Sequence, residues 1–310
     1  MRKLMIFSPW VKRYDLNFCY YDVGSRGDIG KPFSQLDDSS ITVVGFEPDE
    51  SEAARLMEQY PNRIYQANAL WSCAGTRSLF INQAASTSSI YRPDTLTKSR
   101  YAAQHSCGRE VVSEVNVDCV TLDTVVSRVE KIPDFIKIDT QGGELEILKG
   151  ATNTLTKSFP LVTAEVWLDQ VYEGAPLAHE VIAHMDGLGY QVADLDVAAQ
   201  WKYASGMREK IHSKGRLVGL ELLFVKSLES VQADNRDAVL KFVILLEYMG
   251  LRDYAFLVCE QLISDITLRN EVIEVLRKNN QADRRLPKRL FRSFATLLGI
   301  KLKEYPSLHF

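Results

Sequence analysis

The residues with the clearest chemical potential stand where apolar, strand-like segments end. In "YDVGSRGDIG" (21–30) an acidic residue, Asp22, precedes a glycine turn that begins at Gly24, and the next strand-like segment ends in Glu47. Glycines let backbone N–H groups approach a ligand closely. A carboxylate about 20 residues after such a turn can accept both hydroxyl hydrogens of a ribose. This order and spacing indicate a ligand that contains a nucleoside.

A third strand-like segment, "RIYQANAL" (63–70), carries Asn68 and Ala69 near its end. An amide and a small side chain at that position could flank an adenine ring. Because the carboxyl ends of parallel strands lie at one edge of a sheet, the turn, the acid and this pair are expected to lie close together. We therefore predict an adenosine-containing ligand.

Two cofactors compete for this glycine turn. A dinucleotide requires a G-x-G-x-x-G turn that opens a helix, whereas here the glycines follow a G-x-x-G-x-x-G spacing and Pro32 comes soon afterwards. S-adenosylmethionine instead presents a carboxylate and an ammonium group, and an acid at Asp22 suits the ammonium better than a pyrophosphate. The spacing favours S-adenosylmethionine over NAD.

Carboxylates also follow the later strand-like segments. Asp139 comes directly after "FIKI", and Glu165 lies in "AEVW". A hydroxyl is a poor nucleophile, so transfer of a group to it needs a base or a metal ion. Asp139 or Glu165 could be that base, and the two could hold a divalent ion through hard oxygen ligands. The competing interpretation is that Asp139 only hydrogen-bonds the cofactor or caps the following helix.

Three further side chains are candidates for the same region. His105 lies in an irregular segment, 83–109, that we expect to overhang the site, and it is an alternative base or a solvated histidine. Trp167 and Tyr172 follow a strand and could stack on a sugar ring or pack in the core. The sequence leaves these alternatives open.

Alternating strand-like and helix-like segments must position these residues. The pattern runs through 1–227 and predicts an α/β fold, a Rossmann-like, doubly wound and mainly parallel sheet covered by helices. No strand-like segment occurs in residues 228–310, and Gly250 interrupts a helical run there. We predict a domain boundary between 227 and 228, followed by a small helical C-terminal extension.

Composition limits the classes of function. The chain has 310 residues and a formal net charge of −3, and acidic residues outnumber basic ones in 1–227, so a nucleic-acid substrate is not expected. Methylases of base amines carry a Pro-Pro motif after the fourth strand, which this chain lacks. Five cysteines without metal-like spacing favour a reducing compartment. No signal peptide or membrane-spanning run is evident, so a cytoplasmic location is expected.

Several of these segments together carry a family resemblance. "YDVGSRGDIG", "VVGFEPDESEAARL", "ANALWSCAGTRSLFI", "VTLDTVV" and above all "PDFIKIDTQGGELEILKGA" resemble the FkbM-type methyltransferases over about residues 18–226. The resemblance implies a class I, S-adenosylmethionine-dependent O-methyltransferase that acts on hydroxyls of sugars or polyketides. No base-methylation or dinucleotide motif competes with it.

The resemblance also implies roles for individual residues. Asp139 would lie under the transferable methyl group, and Glu47 would bind the ribose with Pro48 beside it. The remaining cofactor contacts that it implies are Asp22, Gly24, Ser25 and Gly27 for the methionine part and Asn68 and Ala69 for the adenine.

Two positions depart from the family pattern. Arg26 stands where the family usually has Asn, and it could pair with the cofactor's carboxylate or be held by Asp28 and point into the substrate cleft. Gln141 stands where an acid is common, which removes one candidate base. We place Gln141 with Trp167 and Tyr172 among the candidate substrate-binding residues.

The C-terminal region contains a strongly basic, amphipathic stretch, 284–303. Such a helix can pack on its own domain or lie on an anionic membrane surface. We predict an enzyme that methylates a hydroxyl of a sugar in a glycan, a glycolipid or a related metabolite. The alternatives are an NAD-dependent oxidoreductase and a non-catalytic glycan-binding or scaffold protein on the same fold. The sequence does not indicate an oligomeric state.

Overall fold

The structure is a computed structural model that describes residues 10–30, 33–37, 39–204, 212–233 and 235–284. Its internal contacts divide the chain into two compact units, Met1–Leu245 and Leu246–Phe310. The boundary placed between 227 and 228 stays a prediction, and the basic stretch 284–303 lies almost wholly outside the described residues. No helix in the described ranges is both long and apolar enough to span a bilayer.

A seven-stranded sheet forms the centre of the first unit. Its strand order is β3-β2-β1-β7-β8-β10-β9. Strands β1, β2, β3, β7 and β8 run parallel, and β10 is antiparallel to both of its neighbours. The strands of this sheet are β1 (Phe18–Val23), β2 (Ile41–Phe46), β3 (Ile64–Gln66), β7 (Phe135–Ile138), β8 (Leu161–Trp167), β9 (Tyr190–Trp201) and β10 (Arg216–Lys226).

The strand order reverses beside β1. From β1 the chain builds outwards through β2 and β3 on one side, then returns to place β7 and β8 on the other. Right-handed crossovers therefore put helices on opposite faces of the sheet. Ligands of doubly wound sheets bind outside the carboxyl ends of the strands at such a reversal. The predicted Rossmann-like, mainly parallel fold is confirmed, and its switch point lies between β1 and β7.

The central strands are apolar because both of their faces are covered. All six residues of β1 are buried, and β7 and β8 are nearly so. One core contains side chains of these strands together with Leu122, Leu148 and Met185 from the helices. At about 25 cal/mol per Å², burial of such side chains is the main stabilising contribution to the sheet.

A second, three-stranded sheet carries a long connection. It consists of β4 (Ala69–Leu70), β5 (Gly75–Asn82) and β6 (Val111–Val120), in the order β4-β6-β5. β5 and β6 pair antiparallel. The predicted third strand, 63–70, is instead divided, because its first half pairs with β2 and its second half with β6. We call the connection between β5 and β6, residues 83–110, the cap segment.

The helices begin where the sequence supplies caps. Asp49 accepts hydrogen bonds from the N–H groups of Ser51 and Glu52, and Thr121 accepts one from Thr124. The helices that follow or join the strands are α1 (Glu50–Gln59), α2 (Thr95–Arg100), α3 (Ala103–Ser106), α4 (Leu122–Val129), α5 (Glu144–Lys149), α6 (Thr152–Lys157) and α7 (Ala178–Gly187).

The C-terminal part of the chain is helical, as predicted. Helix α8 (Arg236–Met249) ends at Gly250, whose φ of 90° is a conformation that favours glycine. It is followed by α9 (Arg252–Leu262) and α10 (Ile266–Arg284). Within the second unit, α9 and α10 pack against each other.

Candidate functional site

The glycine turn after β1 is locked to both neighbouring strands. Gly24 has a φ of 85°, and a Cβ atom there would overlap the carbonyl oxygen of Asp139, so glycine is required. The N–H groups of Gly24 and Ser25 both donate to the carbonyl of Phe46, at 3.1 and 3.0 Å. The Ser25 hydroxyl donates to the carbonyl of Asp22 at 2.7 Å. These two N–H groups are therefore engaged inside the protein.

Asp22 presents a buried carboxylate, one oxygen of which accepts no hydrogen bond within the described residues. Its side chain is 6% exposed, and its Oδ1 has no hydrogen-bond partner in the described part of the chain. The ammonium of Lys137 lies 3.6 Å from this oxygen and 3.6 Å from Oδ2 of Asp139. Burial works against the charged form of Lys137, but attraction by Asp22 and Asp139 outweighs it and raises its pKa. A buried oxygen of this kind favours a further donor from a ligand.

Glu47, at the end of β2, is the second buried acid on this side. It is 3% exposed, and burial raises its pKa to about 7. Its Oε1 accepts the N–H of Asp49 at 2.9 Å, and its Oε2 lies 3.4 Å from Nε of Arg26. The carboxylate is therefore oriented by one backbone donor and one guanidinium. Its position at the switch point suits a ribose diol.

Arg26 faces the acid after β2. Besides Glu47, its Nη2 lies 3.9 Å from Oδ2 of Asp49. Asp28 instead pairs with Arg63 at 2.6 Å, so the alternative in which Asp28 holds Arg26 is wrong. Contact between Arg26 and a cofactor carboxylate stays a prediction.

The other predicted cofactor residues lie around this edge with fewer contacts. Pro48 is half-buried beside Glu47. Asn68 makes one long hydrogen bond, 3.5 Å, to the carbonyl of Asp118, and Ala69 belongs to β4 of the second sheet. Nothing lies within 4 Å of where a side chain on Gly27 would be. Their roles in binding stay predictions.

One side-chain amide joins the two carboxylates on the other side of the switch point. Nε2 of Gln141 donates to Oδ1 of Asp139 at 3.1 Å and to Oε1 of Glu165 at 3.3 Å. Its Oε1 lies 2.9 Å from the hydroxyl of Tyr172, which donates to it. Asp139 and Glu165, the two candidate bases, therefore accept hydrogen bonds from the same nitrogen atom, although one follows β7 and the other lies in β8.

The backbone of Gln141 is fixed as firmly as its side chain. Its φ is 60°, a left-handed conformation that is unfavourable for a residue other than glycine. Its carbonyl accepts the hydroxyl of Ser89 at 2.8 Å. Glu144, 2% exposed, accepts the N–H groups of Thr140 and Gly142, each at 2.9 Å. The turn from Asp139 to Glu144 is thus held from inside and from the cap segment.

The surroundings of Glu165 favour its protonated form near neutral pH. Burial, followed by repulsion from Asp139, raises its pKa to about 7, while the Gln141 amide and Arg109 act in the opposite direction. A carboxylate with a pKa close to the working pH is suited to proton transfer. Buried Glu144 also has a pKa raised to about 7, but both of its oxygens are engaged by the turn.

The three other predicted side chains, His105, Trp167 and Tyr172, differ in how they relate to this pair of carboxylates. His105 stacks on Trp201 with ring centroids 6.0 Å apart, and no contact joins it to Asp139 or Glu165 in the described residues. Tyr172 is fully buried and Trp167 is 2% exposed. The contacts of Tyr172 support Gln141, and stacking of either ring on a sugar stays a prediction. Within the described ranges, no three metal-binding side chains converge, so the suggested metal site of Asp139 and Glu165 has no third such ligand.

Sequence reasoning missed two charged residues of this region. Lys137, a polar residue inside the buried segment "FIKI", contacts Asp22 and Asp139, and its position in an otherwise apolar strand was the available signal. Arg109, at the end of the cap segment, lies over Trp201 at 4.9 Å. No local pattern distinguishes Arg109 from a solvated arginine.

Comparison with known proteins gives a family and several distant folds. The sequence profile "Methyltransferase FkbM domain" matches residues 25–192. No curated protein matches the chain. A structure of Methyltransferase FkbM from Methylobacillus flagellatus KT is similar at 14% identity and a TM-score of 0.38, covering 66% of this chain and 43% of that one. The chain thus spans less than half the length of that relative.

Two other solved structures are similar over more of their own length. Precorrin-6y C5,15-methyltransferase from Geobacter metallireducens GS-15 has 12% identity and a TM-score of 0.31, with 71% of this chain and 85% of that one covered. Streptococcus pneumoniae Sp1610, a putative tRNA (m1A22) methyltransferase, has 9% identity and a TM-score of 0.34, with 90% and 95% covered. These scores carry no argument about function. The profile match extends over more than half of the sequence, and the chain therefore belongs to the FkbM methyltransferase family.

Proposed function

We propose that this protein is an S-adenosylmethionine-dependent O-methyltransferase whose acceptor is a hydroxyl of a sugar in a glycan, a glycolipid or a related metabolite. The observation that carries the proposal is the Gln141 amide that holds Asp139 and Glu165 together beside the glycine turn. This arrangement supplies a candidate base where a class I methyltransferase would bring cofactor and acceptor together.

The residues at the ends of β1 and β2 fit the proposed cofactor. The unused oxygen of Asp22 suits an ammonium group, and buried Glu47 suits the two ribose hydroxyls. The same residues fit NAD poorly. A pyrophosphate needs free backbone N–H groups at the turn, but those of Gly24 and Ser25 donate to Phe46. Asp22 would also repel it.

The chain's own residues would prepare the acceptor. Bound S-adenosylmethionine supplies a methyl group on a positively charged sulfur. Glu165 is the candidate base for the acceptor proton, because its pKa lies near 7 and its orientation is fixed by Gln141. Asp139 would orient the hydroxyl beside the methyl group, and positioning of the two reactants can contribute much of the acceleration.

A divalent ion between Asp139 and Glu165 remains part of the hypothesis. Lys137 already places a positive charge 3.6 Å from Asp139. Lys137 could therefore offset part of the negative charge of the two carboxylates in the absence of a metal ion. Titration with a chelator, followed by re-addition of Mg²⁺ or Mn²⁺, distinguishes these two possibilities.

Calorimetry of the purified chain with S-adenosylmethionine, S-adenosylhomocysteine and NAD tests the proposed function. We expect both sulfur compounds to bind and NAD not to bind. Binding of NAD alone would favour the oxidoreductase, and failure of both sulfur compounds would reject the proposal. Cofactor binding without methyl transfer to any sugar hydroxyl would favour the non-catalytic alternative.

A further inference from the structure

A cluster of arginines contacts residues that follow the proposed base, Glu165, in the chain. Two of them, Arg100 from α2 and Arg216 from β10, converge on one carboxylate, Asp169, which follows β8. Their Nη1 atoms lie 3.0 and 3.2 Å from the same oxygen, Oδ2. The hydroxyl of Tyr101 also donates to this oxygen at 2.6 Å. We call Arg100 and Arg216 the arginine pair, and Asp169 is the carboxylate that they share.

Among the described residues, this group combines two guanidinium charges with a single carboxylate, Asp169. Burial raises the pKa of Asp169, but the hydroxyl of Tyr101, the backbone N–H of Gln170 and then the charges of the two arginines together outweigh it and lower this pKa, so Asp169 stays ionised at neutral pH. One negative charge therefore faces two guanidinium groups. The side chains of Arg100 and Arg216 remain 43% and 39% exposed, whereas that of Asp169 is 10% exposed. Both guanidinium groups are thus partly accessible to a ligand, although Arg216 also hydrogen-bonds the hydroxyl of Tyr203.

The arginine pair is continuous with the proposed catalytic region. Asp169 lies four residues after Glu165 in the chain. Arg109 lies 5.8 Å from the ring of Trp167, which stands between Glu165 and Asp169 in the chain, and 4.9 Å from that of Trp201. Its charge acts on Glu165, whose pKa it lowers against the larger effect of burial. Its Nε is buried without a hydrogen-bond partner among the described residues.

Aromatic rings border the same cluster. Tyr203 is 53% exposed and stacks on Tyr101 with centroids 5.3 Å apart. An exposed aromatic ring beside partly exposed guanidinium groups suits a ring-bearing ligand that also carries negative oxygen atoms. A neutral sugar would leave the surplus positive charge without a partner.

We propose that the acceptor carries an anionic group, either a carboxylate or a phosphate, and that Arg100 and Arg216 bind it. This inference rests on the proposed function, since it assigns the acceptor class of that site. A planar guanidinium can bind a carboxylate or phosphate through two parallel hydrogen bonds. The anionic group would lie over Asp169 while the acceptor hydroxyl lies beside Glu165.

Calorimetry of the full chain, with and without S-adenosylhomocysteine, tests the inference. The probes are glucuronate for a carboxylate, glucose 1-phosphate for a phosphate, and glucose as the neutral reference. We expect at least one anionic probe to bind at least tenfold more tightly than glucose, and its affinity to fall as salt is raised. The better of the two anions identifies the source of the charge.

Variants connect the binding to the arginines. Arg216→Gln and Arg100→Gln should each lower the affinity for the anionic probe at least fivefold. In the double variant the anionic probe should bind no more tightly than glucose. Each single variant leaves Asp169 with one arginine, and thermal unfolding checks that it folds. Arg216→Lys, which keeps the charge, should restore part of the affinity. Arg128→Gln, an exposed change on α4, is the matched control and should have no effect.

Two results would overturn the inference. One is that neither anionic probe binds more tightly than glucose. The other is that the Arg100→Gln and Arg216→Gln variants bind the anionic probe as the unchanged protein does. Failure of S-adenosylhomocysteine to bind would reject the proposed function instead, and titration of the anions alone would still decide whether the arginines bind them.

Discussion

The two sides of the switch point hold their acids in different ways. On the side of β1 and β2, Asp22 and Glu47 each face a cation, Lys137 and Arg26 respectively. On the side of β7 and β8, Asp139 shares Lys137 with Asp22, but Glu165 forms no ion pair among the described residues and is held by the neutral amide of Gln141. A neighbouring cation stabilises the ionised carboxylate and lowers its pKa. A neutral amide orients the carboxylate and lowers its pKa less.

This difference matches two different tasks. Burial raises the pKa of both Glu47 and Glu165 to about 7, so the two tasks differ through the groups that hold the acids and not through their pKa values. An acid that binds an ammonium group or a ribose diol needs its oxygen atoms held in place as acceptors. A base must accept a proton during the reaction and release it afterwards, which is easier when its pKa lies near the working pH. The contrast therefore predicts that changes on one side affect binding and that changes on the other affect turnover.

The largest effect is expected from Glu165→Gln. The variant keeps the size and hydrogen bonds of the side chain but cannot accept the proton, so turnover should fall by about 10² or more. Binding of S-adenosylhomocysteine should change less than twofold. Turnover at saturating substrate and calorimetry measure the two quantities, and Glu173→Gln, an exposed change after β8, is the control. Unchanged turnover would remove Glu165 from the mechanism.

Glu47→Ala should show the opposite pattern. It removes a buried carboxylate that would bind the ribose, and loss of a hydrogen bond to a charged group costs about 1.5–3 kcal/mol, so the cofactor should bind roughly tenfold to a hundredfold more weakly. Turnover at saturating cofactor should stay within about threefold of the original. Glu50→Ala, three residues along and exposed, is the control. A loss of turnover without a loss of affinity would break the comparison.

Gln141→Glu replaces the neutral bridge by a third carboxylate. Because a like charge favours protonated forms, the pKa of Glu165 should rise further. Turnover of the unchanged protein should increase as pH rises through about 7, since the base is active when deprotonated. In the variant this increase should occur at higher pH by about one unit. Gln141→Asn, which keeps the charge, should lower turnover without moving the profile.

The smallest effect concerns stability. The pKa of Glu47 is near 7 in the folded chain and close to its ordinary 4.5 when unfolded. Between these values the folded chain binds the proton more tightly, so the free energy of unfolding falls as pH rises from about 5 to 8. Glu47→Gln should reduce this fall by on the order of 2 kcal/mol. Urea unfolding of the cofactor-free protein at both pH values measures it, and an unchanged slope would contradict the raised pKa.

The fold and the positions of the acids after β1 and β2 were predictable because their signals are local. Apolar runs, caps and glycine turns identify the strands and helices, and the acids at the ends of β1 and β2 follow directly from strand order. The third predicted strand was divided in the structure because its second half pairs with β6, far along the chain. Pairing of that kind leaves no mark in a segment of eight residues.

The side of β7 and β8 was predicted only in part, because its contacts join residues that are far apart in the sequence. Asp139 and Glu165 were identified from their strand ends. The bridging role of Gln141 depends on Ser89 and Tyr172, which reach it across 52 and 31 positions of sequence. A glutamine that replaces an acid gives no indication, by itself, that it will orient two others.

The attachment of the cap segment has a consequence for redesign. Ser89 holds the backbone of Gln141, and the carbonyl of Thr87 lies 2.8 Å from the Tyr172 hydroxyl that orients its amide. The cap segment thus also sets the geometry of the Gln141 bridge between the two candidate bases. Exchanging residues 83–110 for those of a relative would change substrate choice and catalytic power in one step. A designer who wants a new acceptor should keep Thr87 and Ser89 and alter the residues between Pro93 and Arg109.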